Sequence, residues 1–577
     1  MGSMENEHRP VSKRWEIAPL IPGNINQELR GFSPLLRQLM YNRGISDART
    51  AEAYVTYQPG APTGPFLMNG MAEAVALLHE AIEGNWEIAV YGDYDADGVT
   101  SSALLYEFIG ALGKSPRVYI PNRYEEGYGL NSEAIETLAD EGVQLMITVD
   151  CGIRSLREVA RARELGMKVI VTDHHTPDDI LPDANAVINP QQTGDLYPYK
   201  HLAGVGLAYK LAAGYLAKYP HPDVDAEDWL DLVALGTVAD IAPLTGENRS
   251  LVQRGLLQMR GLRRQGLFSL AQVSGIKLET INAGQIGFGV GPRLNAAGRL
   301  DSAMAAFELL TAKDLFTAGR LALQLDEQNS QRKDMTHQIQ TAAVAQAMLT
   351  PDAPVAFAIS PEYSEGIVGL AASKVAEALY RPAIIGRFMD GSVKASSRSI
   401  PEFNLIQALD ACEDLLERHG GHAMAAGLTF QLDKLEALRE RLSAIAEQAF
   451  EGVDLKPKVY IDYEIQLEKV RPEHVPGIFQ DMAALEPTGE KNPETLFCSR
   501  GLEVRSATTV GKERQHLKMT LRAGNNNWEA IAFGQGYWLA EMPKRVDIAY
   551  VFDINDYQGR QSVQLQVRDL RAAEDQG

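Results

Sequence analysis

The sequence predicts a multidomain α/β protein with four structural parts: a domain built on a parallel β-sheet, a long connecting helix, a second α/β domain and a C-terminal antiparallel β-barrel. Three observations predict this order. Apolar runs rich in Val and Ile alternate with helical patterns in the first half of the chain, as they do in parallel sheets. A long periodic stretch follows, which is too apolar for a flexible linker. Beyond about residue 456, short alternating runs indicate antiparallel strands.

The elements follow from these patterns in chain order. Four apolar runs, at 87–91, 145–149, 169–172 and 232–240, predict the parallel sheet, and they alternate with helical patterns at 99–112, Ser132–Asp140 and 156–165. The connecting helix is predicted at 318–349, and the second α/β domain begins with a strand at 355–359 and a helix at 366–374. Barrel strands are predicted around 518–521, 529–533, 548–552 and 562–567.

The chain of 577 residues is too long for one hydrophobic core. We expect five segments: a leader segment at 1–55, the parallel-sheet domain at 56–300, a connecting helical region at 301–350, the second α/β domain at 351–455 and the barrel at 456–577. The first four residues, MGSM, resemble an expression scar, and no signal-peptide hydrophobic run is found in the leader.

Acidic residues and histidines stand where the first four apolar runs end. Ligands of open parallel sheets gather outside the carboxyl ends of the strands, so we expect these side chains to converge although they are distant in sequence. They are Asp93, Asp95 and Asp97 after the first run, Asp150 after the second, His174 and His175 after the third, and Asp240 at the end of the fourth.

These residue types favour a divalent metal centre. Carboxylates with one or two imidazoles suit Mn²⁺ or Mg²⁺ better than zinc or copper, and the histidine favours Mn²⁺. The number of carboxylates implies two ions, bridged by a carboxylate, that clamp the attacking and leaving oxygens of a phosphodiester. A calcium EF-hand loop is the alternative for 93–98, but its twelfth position requires Glu and is Leu104 here. Taken singly, Asp150 and Asp240 are equally compatible with helix caps.

The composition is acidic, with 55 Lys and Arg against 76 Asp and Glu and a formal net charge of −21. Nucleic-acid-binding surfaces are usually basic, so a nucleic-acid role requires locally concentrated basic side chains. The most basic cluster in the barrel region contains Lys512, Arg514, His516 and Lys518, and nearby aromatic rings either stack on bases or form the barrel core. Three scattered cysteines and the absence of an apolar stretch of roughly 20 residues predict a cytoplasmic protein.

Seven motifs resemble, in order, those of the DHH phosphoesterases and, within that superfamily, those of the RecJ family. They cover nearly the whole chain and are much more specific than any short pattern. They are YGDYDADG at 91–98, VDCGI at 149–153, TDHH at 172–175, LAGVG at 202–206, ALGTVAD at 234–240, GPRLNAAGRL at 291–300 and GGHAMAAG at 420–427.

The resemblance implies a single-stranded-DNA-specific 5′→3′ exonuclease that releases 5′-mononucleotides by two-metal hydrolysis, with Mn²⁺ or Mg²⁺, in DNA recombination and repair. It also implies a DHH catalytic domain at 56–300, a DHHA1 domain at 351–455 and an OB-fold nucleic-acid-binding domain at 456–577. The expected partners are single-stranded DNA with a 5′ end, a single-strand-binding protein and a repair helicase. A monomer without membrane attachment is expected.

The resemblance also assigns roles to individual residues. The implied metal ligands are Asp95, Asp97, Asp150, His174 and Asp240, with Asp150 bridging the two ions. Asp150 is also counted as catalytic, together with Asp93 as a supporting ligand and His175 as the group that faces the scissile phosphate. The residues implied to grip the 5′-terminal phosphate and the strand are Arg123, Arg293, Arg299, Ser396, Arg398 and His422. Solvated or structural arginines are the alternative for each arginine.

Two other functions remain open. A DHH-family nanoRNase or cyclic-dinucleotide phosphodiesterase would use the same metals, but a dinucleotide needs no additional barrel. A non-catalytic RecJ-like replication scaffold would have lost metal ligands, whereas every expected acid and histidine is present here. The chain departs from the family at Ser364, where many relatives have His, and at Cys151, where Asn is common. Neither change removes an implied metal ligand.

Overall fold

The structure, a computed structural model, describes residues 11–61, 63–123, 126–127, 129–261, 264–557 and 560–573. It contains two compact units. We call the first the barrel unit, which comprises Met1–Ala51, Met335–Leu485 and Glu494–Gly577, and the second the parallel-sheet unit, which comprises Glu52–Asp334 and Glu486–Pro493. Among the described residues, no helix combines the length and apolar character needed to cross a bilayer.

The region predicted to be a leader segment contains regular structure. Its elements are strand β1 (Arg14–Ile17) and helices α1 (Gly23–Glu28), α2 (Pro34–Asn42) and α3 (Ala48–Val55). Side chains at the two ends of α2 bind other parts of the barrel unit, since Ser33 donates to Asp481 at 2.5 Å and Arg43 forms an ion pair with Asp462 at 3.2 Å. Leu39 and Met40 are fully buried, so this segment is part of a hydrophobic core.

The parallel sheet predicted from the apolar runs is confirmed. It has five strands in the order β3-β2-β4-β5-β6, and every pair in it is parallel. The strands are β2 (Ile88–Gly92), β3 (Arg117–Tyr119), β4 (Leu145–Val149), β5 (Lys168–Thr172) and β6 (Ala186–Ile188). Both faces of the central strands are buried, which explains why their sequences are continuously apolar rather than alternating.

Helices surround this sheet and complete the parallel-sheet unit. They are α4 (Met71–Glu83), α5 (Ala96–Ala111), α6 (Ser132–Asp140), α7 (Leu156–Glu164), α8 (Gly204–Lys218), α9 (Leu230–Ala239), α10 (Gly246–Arg260), α11 (Gln265–Val273), α12 (Ala283–Gln285), α13 (Gly291–Leu300) and α14 (Met304–Thr311). A π-helical turn at Ile286–Val290 joins α12 to α13. The prediction that the run at 232–240 contributes a strand to the sheet is wrong, because this run forms α9. A helix buried on all sides carries apolar residues on every face and cannot be distinguished from a buried strand by periodicity.

The predicted connecting helix is α15 (Leu315–Ala347), whose 33 residues extend for about 50 Å at 1.5 Å per residue. The second α/β domain follows, with β7 (Ala356–Ser360), α16 (Glu365–Leu379), β8 (Ala383–Met389), β9 (Ser392–Arg398), α17 (Leu405–Asp410), β10 (Arg418–His422), β11 (Ala425–Gln431) and α18 (Leu435–Phe450). Its mixed sheet has the order β10-β11-β9-β8-β7.

The C-terminal β-barrel predicted from alternating runs is also confirmed. Its elements are β12 (Lys458–Ile461), β13 (Tyr463–Glu464), α19 (Val475–Ala483), β14 (Phe497–Val510), β15 (His516–Ala523), β16 (Asn526–Ala532), β17 (Arg545–Tyr557) and β18 (Arg560–Ala572). Five long strands close on themselves because β14 pairs with both β15 and β17. All pairs among these five strands are antiparallel except β16 with β18, and β1 adds to β12 in parallel.

A buried ion network joins three helices of the parallel-sheet unit. Arg264, at the start of α11, donates to Asp231 of α9 at 2.7 Å and to Glu107 of α5 at 3.1 Å. All three side chains are at most 12% exposed. Glu107 also pairs with Lys313, so removing Arg264 chiefly leaves the buried carboxylate of Asp231 without this cation.

We therefore expect Arg264→Met to lower the free energy of unfolding by about 3–5 kcal/mol, the usual cost of breaking a buried ion pair. Arg161→Met is the matched control, because Arg161 pairs with Glu136 in an exposed position. Chemical denaturation followed by circular dichroism measures both. Equal stability of the two variants would contradict a structural role for the network.

Candidate metal centre

The turn between β2 and α5 carries three of the predicted acids. Asp95 caps α5, and its Oδ1 accepts the backbone N–H groups of Asp97 at 2.9 Å and Gly98 at 3.1 Å. A Cβ on Gly98 would lie 2.4 Å from the backbone oxygen of Asp93, so only glycine permits this tight turn. The turn thereby holds Asp93, Asp95 and Asp97 together beyond the end of β2.

Asp97 is fixed by the first residues of α8. Its two carboxylate oxygens accept the backbone N–H groups of Gly204 at 2.6 Å and Val205 at 2.9 Å. An anion is stabilised at a helix N-terminus by these otherwise unpaired N–H groups and by the helix dipole. The motif LAGVG at 202–206 therefore has a physical role in orienting Asp97.

Asp150 follows β4 and adopts a left-handed backbone conformation, with φ of +61°. Its N–H donates to the carbonyl of Thr172 at 3.0 Å, which ties it to the end of β5. A Cβ on Gly204 would lie 2.7 Å from the Cβ of Asp150. The absence of a side chain at Gly204 therefore allows α8 to approach both Asp97 and Asp150.

The sequence DHH after β5 supplies two imidazoles with different contacts. That of His174 lies among the acids, and that of His175 is hydrogen-bonded to Asp173. The Nε2 of His174 lies 3.1 Å from Asp150, 3.8 Å from Asp97 and 3.9 Å from Asp240. The Nδ1 of His175 lies 2.8 Å from Oδ1 of Asp173, which also accepts the backbone N–H of His175. Asp173 thus orients His175, a role that the sequence analysis did not assign.

Asp240 reaches the same place from the C-terminus of α9 rather than from a strand. Gly236 lets this helix approach, because a Cβ there would lie 2.2 Å from Oγ1 of Thr100 and 2.9 Å from Oδ1 of Asp97. The structure therefore brings together all seven of the acids and histidines that the sequence analysis selected for this centre.

These side chains form three overlapping groups, and in each group the potential ligand atoms lie within 4.8 Å of one another. The groups are Asp93 with Asp95 and Asp150, Asp97 with His174 and Asp240, and Asp150 with His174 and His175. Asp93 Oδ1, Asp150 Oδ1 and His174 Nε2 are buried and have no hydrogen-bond partner among the described residues. Such a set of oxygen donors with one imidazole fits two neighbouring divalent cations that share Asp150.

Burial and mutual repulsion disfavour the charged forms of the acids, which bound cations would stabilise. Burial and the neighbouring carboxylates raise the pKa of Asp97 to about 7 and that of Asp240 to about 9. The pKa values of Asp93 and Asp150 are raised for the same reasons. Burial and the proximity of His175 lower the pKa of His174 to about 4, so its imidazole is neutral and can bind a metal.

The pKa of His175 is shifted in the opposite direction to that of His174. Burial works against its charged form, but the hydrogen bond and charge of Asp173 prevail and raise the pKa of His175. In turn, burial disfavours the Asp173 carboxylate, but the contacts with His175 lower the pKa of Asp173 overall. His175 is therefore suited to hold a proton at the edge of the acidic cluster.

Arginines lie beside the turn that carries the acids. The guanidinium of Arg123 lies 5.3 Å from the ring centre of Tyr94. Burial and the neighbouring Arg123 and Arg332 lower the pKa of Arg299 to about 10, although Asp95 opposes the shift. Arg332 lies on α15 and was not selected from sequence, because no local motif distinguishes it from the other basic residues of that helix.

The other predicted substrate-binding residues have different surroundings. Arg293 forms an ion pair with Asp326 at 2.8 Å and donates to the carbonyl of Gly289. Ser396, Arg398 and His422 belong to the barrel unit, in which Arg398 of β9 and His422 of β10 both pair with Ala425 of β11. The two residues therefore flank one strand of the mixed sheet.

Helix α13 supports the acidic turn through residues whose role the sequence analysis missed. Oδ1 of Asn295 accepts the backbone N–H of Ala96 at 2.8 Å. A Cβ on Gly298 would lie 2.4 Å from the carbonyl oxygen of Tyr94. Both residues lie inside the motif GPRLNAAGRL, which was recognised as a motif but not connected to this turn.

Comparisons with known proteins agree with this architecture. The model of the DHH family N-terminal domain matches residues 87–237, the DHHA1 domain model matches 352–448 and the RecJ OB domain model matches 461–569. Fold and site together define a DHH phosphoesterase.

Similar proteins identify the family within the DHH phosphoesterases to which the chain belongs. The chain is 35% identical over 569 residues to the single-stranded-DNA-specific exonuclease RecJ of Bacillus subtilis, covering 97% of this chain and 71% of that protein. It is 36% identical to RecJ of Salmonella typhimurium, covering 93% of this chain and 96% of that protein. The crystal structure of RecJ from Thermus thermophilus with Mn²⁺ aligns with a TM-score of 0.83 and 31% identity over 97% of this chain and 80% of that one. The chain belongs to the RecJ family.

The raised carboxyl pKa values make metal binding and stability depend on pH. A carboxyl group whose folded pKa lies above its usual 3.8 favours the folded state at low pH, and this contribution is lost as pH rises through the folded values of about 7 and about 9. We expect the metal-free protein to lose stability from pH 6 to pH 8.5 and Mn²⁺ to restore it. The Mn²⁺-induced increase in Tm should grow across this range, since fewer protons compete with the ions. A constant increase would contradict proton competition at the centre.

The close approach at Gly204 provides a second test. Gly204→Ala should displace Asp150 or α8 and weaken Mn²⁺ binding at least about tenfold, as expected when a contact that orients a metal ligand is lost. Gly110→Ala is the matched control, because Gly110 lies on α5 with open space around its Cα. Isothermal titration calorimetry with Mn²⁺ measures both variants, and unchanged affinity in Gly204→Ala would refute the proposed packing constraint.

Proposed function

We propose that this protein is a single-stranded-DNA-specific exonuclease that hydrolyses phosphodiesters at a centre of two divalent metal ions. The observation that carries the proposal is the convergence of acids and imidazoles from four distant segments into overlapping ligand groups. Similarity over nearly the whole chain to relatives named as single-stranded-DNA-specific exonucleases supports the choice of substrate.

The ligand groups suggest how the chain divides its residues between the ions. Asp93 and Asp95 would hold one ion, Asp97, His174 and Asp240 the other, and Asp150 would bridge them. The crystal structures of RecJ with Mn²⁺ and with Mg²⁺ support these two metals as candidates. When bound, the two ions supply Lewis acidity, which activates water and stabilises the charge on the phosphodiester oxygens.

His175 would act on the phosphodiester without serving as a metal ligand. The contacts with Asp173 raise the pKa of His175, which favours its protonated form, and Asp173 fixes the orientation of the ring through Nδ1. We propose that Nε2 donates a hydrogen bond to a phosphoryl oxygen as negative charge develops during attack.

Arg123, Arg299 and Arg332 would bind the terminal phosphate of the strand. Arg123 and Arg332 both lower the pKa of Arg299, so each lies close to it, and guanidinium groups bind phosphate through paired hydrogen bonds. Family resemblance adds Ser396, Arg398 and His422 to the substrate-binding set. Arg293 has a structural ion pair with Asp326, which favours a role in holding α13.

The barrel supports binding of an extended strand rather than a dinucleotide. Trp528 is buried in the barrel core, whereas Phe533 is half exposed and packs edge-on against His516. Phe533 with the basic cluster of Lys512, Arg514 and Lys518 provides one ring and several cations for a single strand.

The remaining parts of the proposal follow the family. They are 5′→3′ polarity, release of 5′-mononucleotides, a role in recombination and repair, partnership with a single-strand-binding protein and a helicase, a monomeric state and a cytoplasmic location. We also retain the domain boundaries expected from sequence, with the catalytic domain at 56–300 and the nucleic-acid-binding barrel at 456–577.

Polarity and metal dependence are tested together with single-stranded DNA labelled at either end. With Mn²⁺ the 5′ label should appear at once as mononucleotide, and chelation or Asp150→Asn should lower the rate at least about 10³-fold, since a bridging ligand is lost. Asp178→Asn is the matched control, because Asp178 is an exposed acid that pairs with the exposed Arg154. Early release of the 3′ label would contradict the polarity, and cleavage of dinucleotides alone would favour a small-substrate phosphodiesterase.

A separate prediction concerns the terminal phosphate. Arg123→Ala should abolish the preference for 5′-phosphorylated over 5′-hydroxyl ends, because the guanidinium that pairs with the phosphate is lost. Mn²⁺ affinity should be unchanged, and Arg157→Ala on the surface helix α7 serves as control. Competition kinetics with the two oligonucleotides measures the preference. A retained preference would remove Arg123 from the phosphate site.

A further inference from the structure

An exposed aromatic residue is presented on a fixed turn of the parallel-sheet unit. Phe288 lies in the π-helical turn Ile286–Val290 and its side chain is 89% exposed. Both neighbours are glycines packed against the protein: a Cβ on Gly289 would lie 2.5 Å from Ile276, and one on Gly287 would lie 3.8 Å from Val238. The backbone is therefore held against the domain while the phenyl ring points to solvent.

This turn is packed beside the metal centre. The next residue after the turn, Gly291, would place a Cβ 3.1 Å from the Cβ of Ala239, which directly precedes the predicted ligand Asp240. Ile241 follows Asp240, has a φ of +60° and is 69% exposed. A β-branched residue rarely adopts this left-handed conformation, so an exposed Ile here costs stability without contributing to the core.

The turn that carries Phe288 therefore packs on the two residues before Asp240, and Ile241 directly follows Asp240. Both apolar side chains are exposed, and each lies in an unusual local backbone structure. π-helical turns and strained residues concentrate at functional sites. Phosphate groups of a substrate would be drawn to the cations and arginines and would gain nothing from these side chains. The part of a nucleotide that matches them is the face of a base, which stacks on aromatic rings regardless of sequence.

We propose that Phe288 and Ile241 form a base-binding lip of the metal centre, which contacts an unpaired nucleobase of the strand being cut. This inference rests on the proposed function and adds a subsite to it. The lip takes a base that is free to turn its face toward it, so it discriminates against duplex DNA, in which pairing holds the terminal bases and both faces of each internal base are already stacked. It also predicts little preference among the four bases.

The lip is tested by equilibrium binding, measured by fluorescence anisotropy, of a single-stranded oligonucleotide with phosphorothioate linkages at its 5′ end to slow cleavage. In the presence of Mn²⁺, Phe288→Ala should weaken binding about tenfold, and Phe288→Trp should retain it because the larger ring also stacks. Phe316→Ala is the matched control, since Phe316 is 84% exposed on α15. Mn²⁺ affinity and Tm should be the same in the wild type and all three variants.

Abasic substitutions locate the base. One abasic position near the 5′ end should weaken binding to the wild-type protein, and the same position should have no further effect in Phe288→Ala. The lip would be overturned if the wild type and Phe288→Ala bound the oligonucleotide equally. It would also be overturned if the loss caused by each abasic position simply added to the loss caused by Phe288→Ala. Turnover of unmodified DNA is measured separately. If binding depends on Phe288 but no DNA is hydrolysed, the proposed exonuclease activity is contradicted. If DNA is hydrolysed but Phe288→Ala leaves DNA binding unchanged, the lip is contradicted.

Discussion

The mutual repulsion of buried carboxylates is the constraint on which the rest of the parallel-sheet unit depends. Asp93, Asp97 and Asp150 are almost completely buried, and neighbouring carboxylates disfavour the ionisation of each. Full ionisation of such a cluster destabilises the folded chain, so the acids either retain protons or bind cations. The fold therefore has to hold these acids in place by hydrogen bonds from backbone N–H groups and by packing. Bound divalent ions would add the charge neutralisation that these interactions do not supply.

Those other interactions come mainly from helix termini and glycines. The N-terminus of α8 binds Asp97, the N-terminus of α5 is capped by Asp95, and Asn295 fixes the first residue of α5. Gly204 and Gly236 allow α8 and α9 to approach the acids more closely than any side chain would permit. The centre is thus preorganised by its surroundings, which is what a two-metal phosphoesterase needs to place ligands at a fixed separation.

Much of this could be predicted from sequence, because strands and their trailing acids are local features. The parallel sheet, the long helix, the barrel and the seven residues of the centre were all visible as patterns. The run at 232–240 forms a helix where a strand is predicted, because full burial gives a helix and a strand similar apolar sequences. Arg332 and Asn295 were missed because their roles depend on tertiary contacts with Arg299 and with the 93–97 turn. Asp173 was missed although its hydrogen bond to His175 spans only two residues, because sequence does not show which way either side chain turns. The predicted leader forms helices whose docking on distant residues leaves no local signal.

The site and the proposed substrate are physically consistent despite the acidic composition. Bound cations and the Arg123, Arg299 and Arg332 cluster would reverse the local charge where a phosphate must bind. The most direct test of a shared two-metal centre is the electron paramagnetic resonance spectrum of the Mn²⁺-loaded protein with its metal stoichiometry. We predict two Mn²⁺ per chain with an exchange-coupled spectrum that Asp150→Asn converts to an uncoupled one. One Mn²⁺ per chain with an uncoupled six-line spectrum in the unmodified protein would contradict such a centre.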